Sequence, residues 1–235
     1  MDDTIVRRLV ELNAQFYEQL ADPFSASRAG PQPGYEQLLA YLPSMETLDV
    51  LDVGCGNGRF GRFLVERVAS MNYTGVDFSD RLMSTADFVA GNFYRRDLSL
   101  SAALSGLGAY DLIVCLSTLQ HIPGYTNRER LLREMRDHLR PHGRLVLANW
   151  QFLDNPRQRR KLRPWPEIGL QENQVEQGDY LLSWQKGGFG LRYVALIDEG
   201  ATQSLAQFAG FRIIINFRSD GREGDLNLYT ILASE

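Results

Sequence analysis

The sequence predicts an α/β fold: a doubly wound, mostly parallel seven-stranded sheet with helices before it and an antiparallel hairpin closing its edge. Three observations predict it. Apolar runs near 48–53, 72–76, 92–95, 110–116 and 143–149 alternate with helical stretches near 58–68, 79–87, 99–105 and 127–139. That rhythm belongs to a parallel sheet covered by helices on both faces. The first run, Leu48-Asp49-Val50-Leu51-Asp52-Val53, opens at once into Gly54-Cys55-Gly56-Asn57-Gly58, a tight strand-to-helix turn. Late in the chain, Phe211–Phe217 and Leu226–Leu232 flank Ser219-Asp220-Gly221-Arg222-Glu223-Gly224-Asp225, the pattern of an antiparallel hairpin.

The remaining elements follow in order. Ile5, Leu9, Leu12, Phe16 and Leu20 recur at helical spacing, so 4–20 reads as an amphipathic helix. Pro23 to Pro33 is rich in Pro, Gly and Ser and reads as a loop, and a helix over Tyr35–Leu42 stops before Pro43. The helix over 127–139 ends at Arg140-Pro141-His142-Gly143, and its Arg128, Arg130, Arg133 and Arg136 read as a solvated face. After Trp150 the alternation breaks for about forty residues, until Asp198–Ala209 forms another helix ended by Gly210. The whole is expected to be one domain: an N-terminal helical lid over 1–44, a core over 45–150, an insertion over 151–190, and the last helix and hairpin over 191–235.

Composition limits the function classes. The chain has 235 residues, 44% of them hydrophobic, enough for one sizeable core. A net charge of -4 excludes generic polyanion binding and confines any nucleic-acid surface to a local patch. Cys55 and Cys115 are the two cysteines and sit in strand or turn contexts, without the paired spacing of a zinc site or disulfide framework. No metal is expected. Met1-Asp2-Asp3 is acidic and no apolar run reaches membrane-spanning length, so a soluble, cytoplasmic protein without a membrane partner is expected.

The glycine turn carries the chemistry. Gly54 and Gly56 let a ligand lie against bare backbone, and the helix beginning near Gly58 turns unsatisfied N–H groups toward it. A second apolar run, Tyr73-Thr74-Gly75-Val76, ends in Asp77, where a carboxylate can accept both hydroxyls of a ribose. An adenine nucleoside with a charged tail fits this pattern, either S-adenosylmethionine or NAD. Gly56-Asn57-Gly58-Arg59-Phe60-Gly61 is a literal GxGxxG, yet three features oppose NAD. Asp52 suits an amino group and not a pyrophosphate. One sheet uses the whole chain, leaving no separate catalytic domain. None of the ten tyrosines is followed by a lysine at Tyr-x-x-x-Lys spacing. S-adenosylmethionine is the expected cofactor.

Leu51-Asp52-Val53-Gly54-Cys55-Gly56-Asn57-Gly58, Gly75-Val76-Asp77-Phe78-Ser79 and Tyr110-Asp111-Leu112-Ile113 through His121-Ile122 resemble the class I S-adenosylmethionine-dependent methyltransferases, a Rossmann-like fold. The resemblance implies Asp52 by the methionine amino group, Asp77 on the ribose beside Phe78, and Leu116 and Ser117 on the methionine side. It puts Asp97 by the adenine amine with Leu98 on the ring; Asn92 is the competing residue. A narrower resemblance lies outside this core. Phe16-Tyr17, Phe24-Ser25-Ala26-Ser27-Arg28 and Tyr41-Leu42-Pro43 are similar to the leader of the tRNA wobble-uridine carboxymethyl methyltransferases, and Trp150 with the following basic run resembles their tail. It favours Arg28 on the methionine carboxylate over Arg28 as one more loop arginine; Tyr17 either closes over the cofactor or packs in the core, and a small activating protein partner, which some similar enzymes require, stays open.

The methyl acceptor stays open between tRNA and a small metabolite. Residues 157–163 hold five cations, among them Arg157 and Arg159, which would neutralise RNA phosphates or hold an acceptor anion; alternatively they form a solvated loop. Trp150, Trp165 and Trp184 are the candidates for stacking on an exposed base. His121, after the fourth strand, is the candidate catalytic base for a hydroxyl or amine, and otherwise a packed imidazole. A carboxylate acceptor would need no base. A non-catalytic methyltransferase fold that binds a partner is the alternative from another class.

Overall fold

The fold was read from a computed structural model that describes residues 1–27, 30–86 and 90–234. Helices α1 (Asp3–Gln19), α2 (Ala21–Ala26) and α3 (Pro33–Leu38) precede strand β1 (Leu48–Val53). The alternating region runs α4 (Arg59–Val65), β2 (Met71–Asp77), α5 (Asp80–Met83), β3 (Gly91–Arg95), β4 (Tyr110–Leu116), α6 (Tyr125–Asp137) and β5 (Leu139–Trp150). Then come α7 (Pro156–Arg159), β6 (Leu162–Arg163), β7 (Asp179–Trp184) and β8 (Gly190–Ala195). The described chain closes with α8 (Glu199–Phe208), β9 (Phe211–Ser219) and β10 (Asn227–Ser234).

Seven strands form the main sheet in the order β3-β2-β1-β4-β5-β10-β9, all running in one direction except β10, which is antiparallel to both of its neighbours, β5 and β9. This is the predicted doubly wound sheet with its closing hairpin. Its central strands are apolar along their length because both faces are covered. Alternate residues divide between two cores. Leu51, Val53, Ile113, Cys115, Leu145 and Leu147 pack with α6 and α8, while Val50, Leu112, Val114, Val146 and Ala148 pack with α3 and α4.

Several local expectations are corrected. The stretch over 99–105 forms turns and no helix, because Glu134 of α6 accepts from the backbone N–H groups of Ala102 (2.9 Å) and Leu104 (3.2 Å). The helix expected over 79–87 is only the four-residue α5, capped by the Ser79 hydroxyl; position 87 lies outside the described residues. Part of the expected loop at 23–33 is the helix α2. Arg140 to Gly143 do not stop a helix. They already belong to β5, where Arg140 pairs with Asp49 (2.5 Å) and Asp111 (2.9 Å), and a register shift against β4 accommodates them. The α6 arginines are no uniform solvated face either. Arg128 is buried, donating to the Ile122 carbonyl and the Tyr193 hydroxyl, and Arg130 and Arg136 donate to the carbonyls of Ser99 and Ala209.

The region after Trp150 holds a second, three-stranded antiparallel sheet in the order β6-β7-β8. Helix α1 lies along β8, the edge strand of that sheet. Asn13 supplies what a further strand would: its side chain accepts from the Tyr193 N–H (2.8 Å) and donates to the Tyr193 carbonyl (3.2 Å). Among the described residues no helix is long and apolar enough to cross a membrane.

Candidate active site

A cavity of about 320 Å³ opens at the C-terminal ends of β1, β2 and β4 and is bounded by α1. Such a crevice at the strand ends is where open α/β sheets bind ligands. Its floor is the turn after β1. Gly54 sits at φ +79°, and a Cβ there would stand 2.2 Å from the Thr118 side chain, so backbone conformation and space both demand glycine. Gly56, at φ +54°, faces open space, which leaves room for a ligand on bare backbone. Cys55 and Asn57 line the cavity beside them; Gly58 does not, and instead caps α4 in the left-handed conformation.

Two carboxylates face this floor, and both are buried. Asp77 accepts from the Gly56 N–H (2.9 Å) through Oδ2 and from the Ser79 N–H (3.0 Å) through Oδ1. Each oxygen keeps acceptor capacity for a further donor. Burial raises the Asp77 pKa, opposed by these backbone bonds. Asp52 accepts from the Tyr73 hydroxyl at 2.6 Å. Burial pushes its pKa up to about 7, the Tyr73 bond opposes that, and the Asp77 charge adds to it. The Cys55 thiol is driven well above its usual range, first by burial and then by the two carboxylates, so it stays protonated and unreactive. A ligand carrying hydroxyl donors and an ammonium group would satisfy both acids at once. That is the donor set of S-adenosylmethionine.

Further around the wall lie Phe78, Asp97, Leu98, Leu116 and Ser117. Asp97 accepts from the Ser99 N–H (2.9 Å) and its Leu98 neighbour is buried, whereas Asn92 sits exposed on β3 and does not line the cavity. Ser117 takes a left-handed conformation at φ 58° and accepts from the Trp150 indole N–H at 3.0 Å, which holds that ring against the cavity.

The wall opposite the acids is aromatic. Tyr17, brought in by α1, meets Phe24 of α2 and Phe78 edge-to-face at 4.9 and 5.9 Å. His121 lies between Tyr17 and Trp150. Its Nδ1 stands 3.0 Å from the Tyr193 carbonyl, which can only accept, so Nδ1 carries the proton of the neutral ring. Nε2, 3.1 Å from the Tyr17 hydroxyl, then accepts from it.

Of the residues singled out in the sequence, Arg28 lies outside the described residues. Arg157 and Arg159 are exposed on α7 and do not reach the cavity lining. Trp165 is buried in the core and Trp184 packs on Phe16 and Phe24, so Trp150 alone of the three tryptophans lines the cavity. Asn13, Gln32, Arg59 and Thr118 also line it and were not foreseen. Asn13 had a signal: it is the polar member of the apolar stripe through Leu9, Phe16 and Tyr17.

Comparison with known proteins agrees with this geometry. Residues 51–145 match the model of a methyltransferase domain. A methyltransferase of Encephalitozoon cuniculi is 27% identical over 200 residues, 85% of this chain and 87% of that one. Trans-aconitate 2-methyltransferase of Streptomyces avermitilis is 33% identical over 132 residues, 53% of this chain and 48% of that protein. The tRNA (carboxymethyluridine(34)-5-O)-methyltransferase of Macaca fascicularis is 28% identical over 149 residues, 63% of this chain and 21% of its own length. Among solved structures, the DhpI-SAM-HEP complex superposes with a TM-score of 0.66 at 16% identity, over 96% of this chain and 97% of that one. A SAM-dependent methyltransferase of Methanosarcina mazei gives 0.64 at 19% identity, over 81% and 94%. The fold and the cavity agree with the methyltransferase-domain match over residues 51–145, and the solved structures share that fold.

Proposed function

We propose that the chain methylates a carboxylate oxygen, and that the carboxymethyl group of a tRNA wobble uridine is its acceptor. The observation that carries the carboxylate is the engagement of both His121 ring nitrogens, by the Tyr193 carbonyl and the Tyr17 hydroxyl. A hydroxyl or amine acceptor needs a base to take its proton; a carboxylate arrives ionised. Two relatives support this class, since trans-aconitate and carboxymethyluridine both carry carboxylates. The leader with Phe16-Tyr17 and Phe24-Ser25 supports the uridine.

S-adenosylmethionine, when bound, supplies a sulfonium methyl whose C–S bond breaks as an acceptor lone pair forms the O–C bond, releasing S-adenosylhomocysteine. The chain's residues hold and orient. Asp77 takes the ribose hydroxyls, Asp52 the methionine ammonium, and Asp97 the adenine amine with Leu98 on the ring. Leu116 and Ser117 flank the methionine, and Tyr17 closes over it. His121 fixes the Tyr17 hydroxyl and takes no proton. Positioning is the main contribution.

A small-molecule carboxylate is the second reading, favoured by the absence of Arg157 and Arg159 from the cavity lining. Radiolabelled S-adenosylmethionine offered with carboxymethyluridine-containing tRNA and, separately, with trans-aconitate tests both. Label in RNA that mild base removes is expected. Label only in the small acid overturns the tRNA acceptor, and label in neither overturns the carboxylate reading.

A further inference from the structure

The small sheet carries a cation that the fold leaves unpaired. Arg192, in the middle of β8, is 4% exposed, and its Nε and Nη1 meet no hydrogen-bond acceptor among the described residues. It forms no ion pair among them. Its guanidinium carbon lies 4.4 Å from the centre of the Trp150 ring, 5.1 Å from Phe16 and 5.5 Å from Trp184, a three-sided aromatic box. Cation–π contact offsets part of the lost hydration but gives the N–H donors no acceptor.

The box borders the active-site cavity through Trp150, while Arg192 and Lys161 themselves stand behind the lining. Trp150 lines the cavity, and so does Tyr17, whose hydroxyl interacts with Arg192. A second cation stands close by. Lys161, half-buried just before β6, has its pKa lowered by burial first and then by the charges of Arg192 and Arg157. No acid of the described chain pairs with Lys161, which donates to the Gln158 amide oxygen (2.9 Å). Strand register explains the grouping, since Leu162 of β6 lies across from Leu182 of β7, which lies across from Arg192. Burial pulls the Arg192 pKa down as well, yet a guanidinium keeps its charge in protein surroundings.

We infer that Arg192, backed by Lys161, is the anion-binding residue of the acceptor subsite, holding a substrate carboxylate against the Trp150 and Tyr17 wall of the cavity. This deepens the proposed function and rests on its carboxylate acceptor. It transfers the anion-binding role from the exposed Arg157 and Arg159 to a buried residue. A fixed guanidinium in a dry aromatic box selects a planar anion and rejects a neutral group of the same shape, whose binding would leave the charge unpaired.

The test is calorimetric titration of the full chain, loaded with S-adenosylhomocysteine, using three probes: 5-carboxymethyluridine, trans-aconitate and the neutral 5-carbamoylmethyluridine. The parent is expected to bind at least one acid more than about tenfold tighter than the amide. Arg192→Met is expected to remove that preference while leaving affinity for the amide and for S-adenosylhomocysteine unchanged, which also reports that the variant folds. Arg192→Lys is expected to keep part of it. Equal affinity for acids and amide in the parent, including no measurable binding of any probe, overturns the inference; so does a preference that survives in Arg192→Met. The two readings fail differently. Acids that bind through Arg192 without accepting methyl overturn the function alone, whereas methyl esters formed by Arg192→Met at an unchanged KM overturn the subsite alone.

Discussion

Asp52 and Asp77 are both buried at one cavity, and neither forms an ion pair among the described residues. The ligand-free protein therefore carries a penalty that a bound ammonium would remove. For Asp52 the folded pKa, about 7, lies above the ordinary 3.8. The folded state binds the extra proton, so stability is fully present below about pH 3.8 and falls as pH rises to about 7. That range corresponds to about 4 kcal/mol. Asp52→Asn, which keeps the shape and an acceptor for Tyr73, is expected to raise the ligand-free Tm at pH 8 by several degrees; a lowered Tm would contradict it. Ligand affinity runs the other way, because an ammonium needs the ionised acid. Binding of S-adenosylhomocysteine is expected to weaken about tenfold per pH unit below 7 and to level off above it. Calorimetry between pH 5.5 and 8.5 measures this, and a flat profile removes Asp52 from the ammonium. Asp77→Ala is expected to lower the same affinity at least about a hundredfold, since two charge-assisted hydrogen bonds to the ribose disappear. An unchanged affinity places the ribose elsewhere.

At the scale of elements, α1 is the part that couples the two sheets. Its Asn13 occupies the free edge of β8 and also donates to the His121 carbonyl at 3.3 Å, while Tyr17, one turn on, reaches the His121 ring. Asn13→Ala leaves the buried N–H and C=O of Tyr193 without that partner and is expected to destabilise the protein by about 2–3 kcal/mol. It is also expected to weaken S-adenosylhomocysteine binding several-fold through Tyr17. Urea unfolding and calorimetry check both, and a parent-like result in each denies the coupling. This element also marks where sequence reading ended. The main sheet was legible because buried parallel strands are apolar throughout and end in informative acids and glycines, as β1 and β2 do. The small sheet was not: β8 interrupts its apolar run with Arg192, and its edge is completed by a side chain 180 residues away. Likewise nothing local in residues 99–105 shows that Glu134 will take their backbone donors. Tertiary partners decided those segments, and with them Asn13 of the cavity wall and Arg192, which packs on the Trp150 ring.

For the whole molecule, charge decides between the two acceptors. A protein of net charge -4 must draw RNA by a local tract. Of the five cations in 157–163, Arg163 is spent on Glu167 at 2.6 Å and Lys161 is drawn into the half-buried cluster beside Arg192. Arg157, Arg159 and Arg160 remain exposed and without an ion pair among the described residues. Each phosphate contact contributes about 0.7–0.9 to the slope of log affinity against log salt. Replacing these three by Gln is therefore expected to flatten the salt slope of tRNA binding by about 2–3, while Arg163→Gln leaves it within about 0.5. Filter binding from 50 to 300 mM salt reads both slopes. Identical slopes for parent and triple variant, beside intact binding of S-adenosylhomocysteine, would leave the run a solvated loop. The acceptor would then be a free carboxylate small enough to enter the cavity beside Trp150.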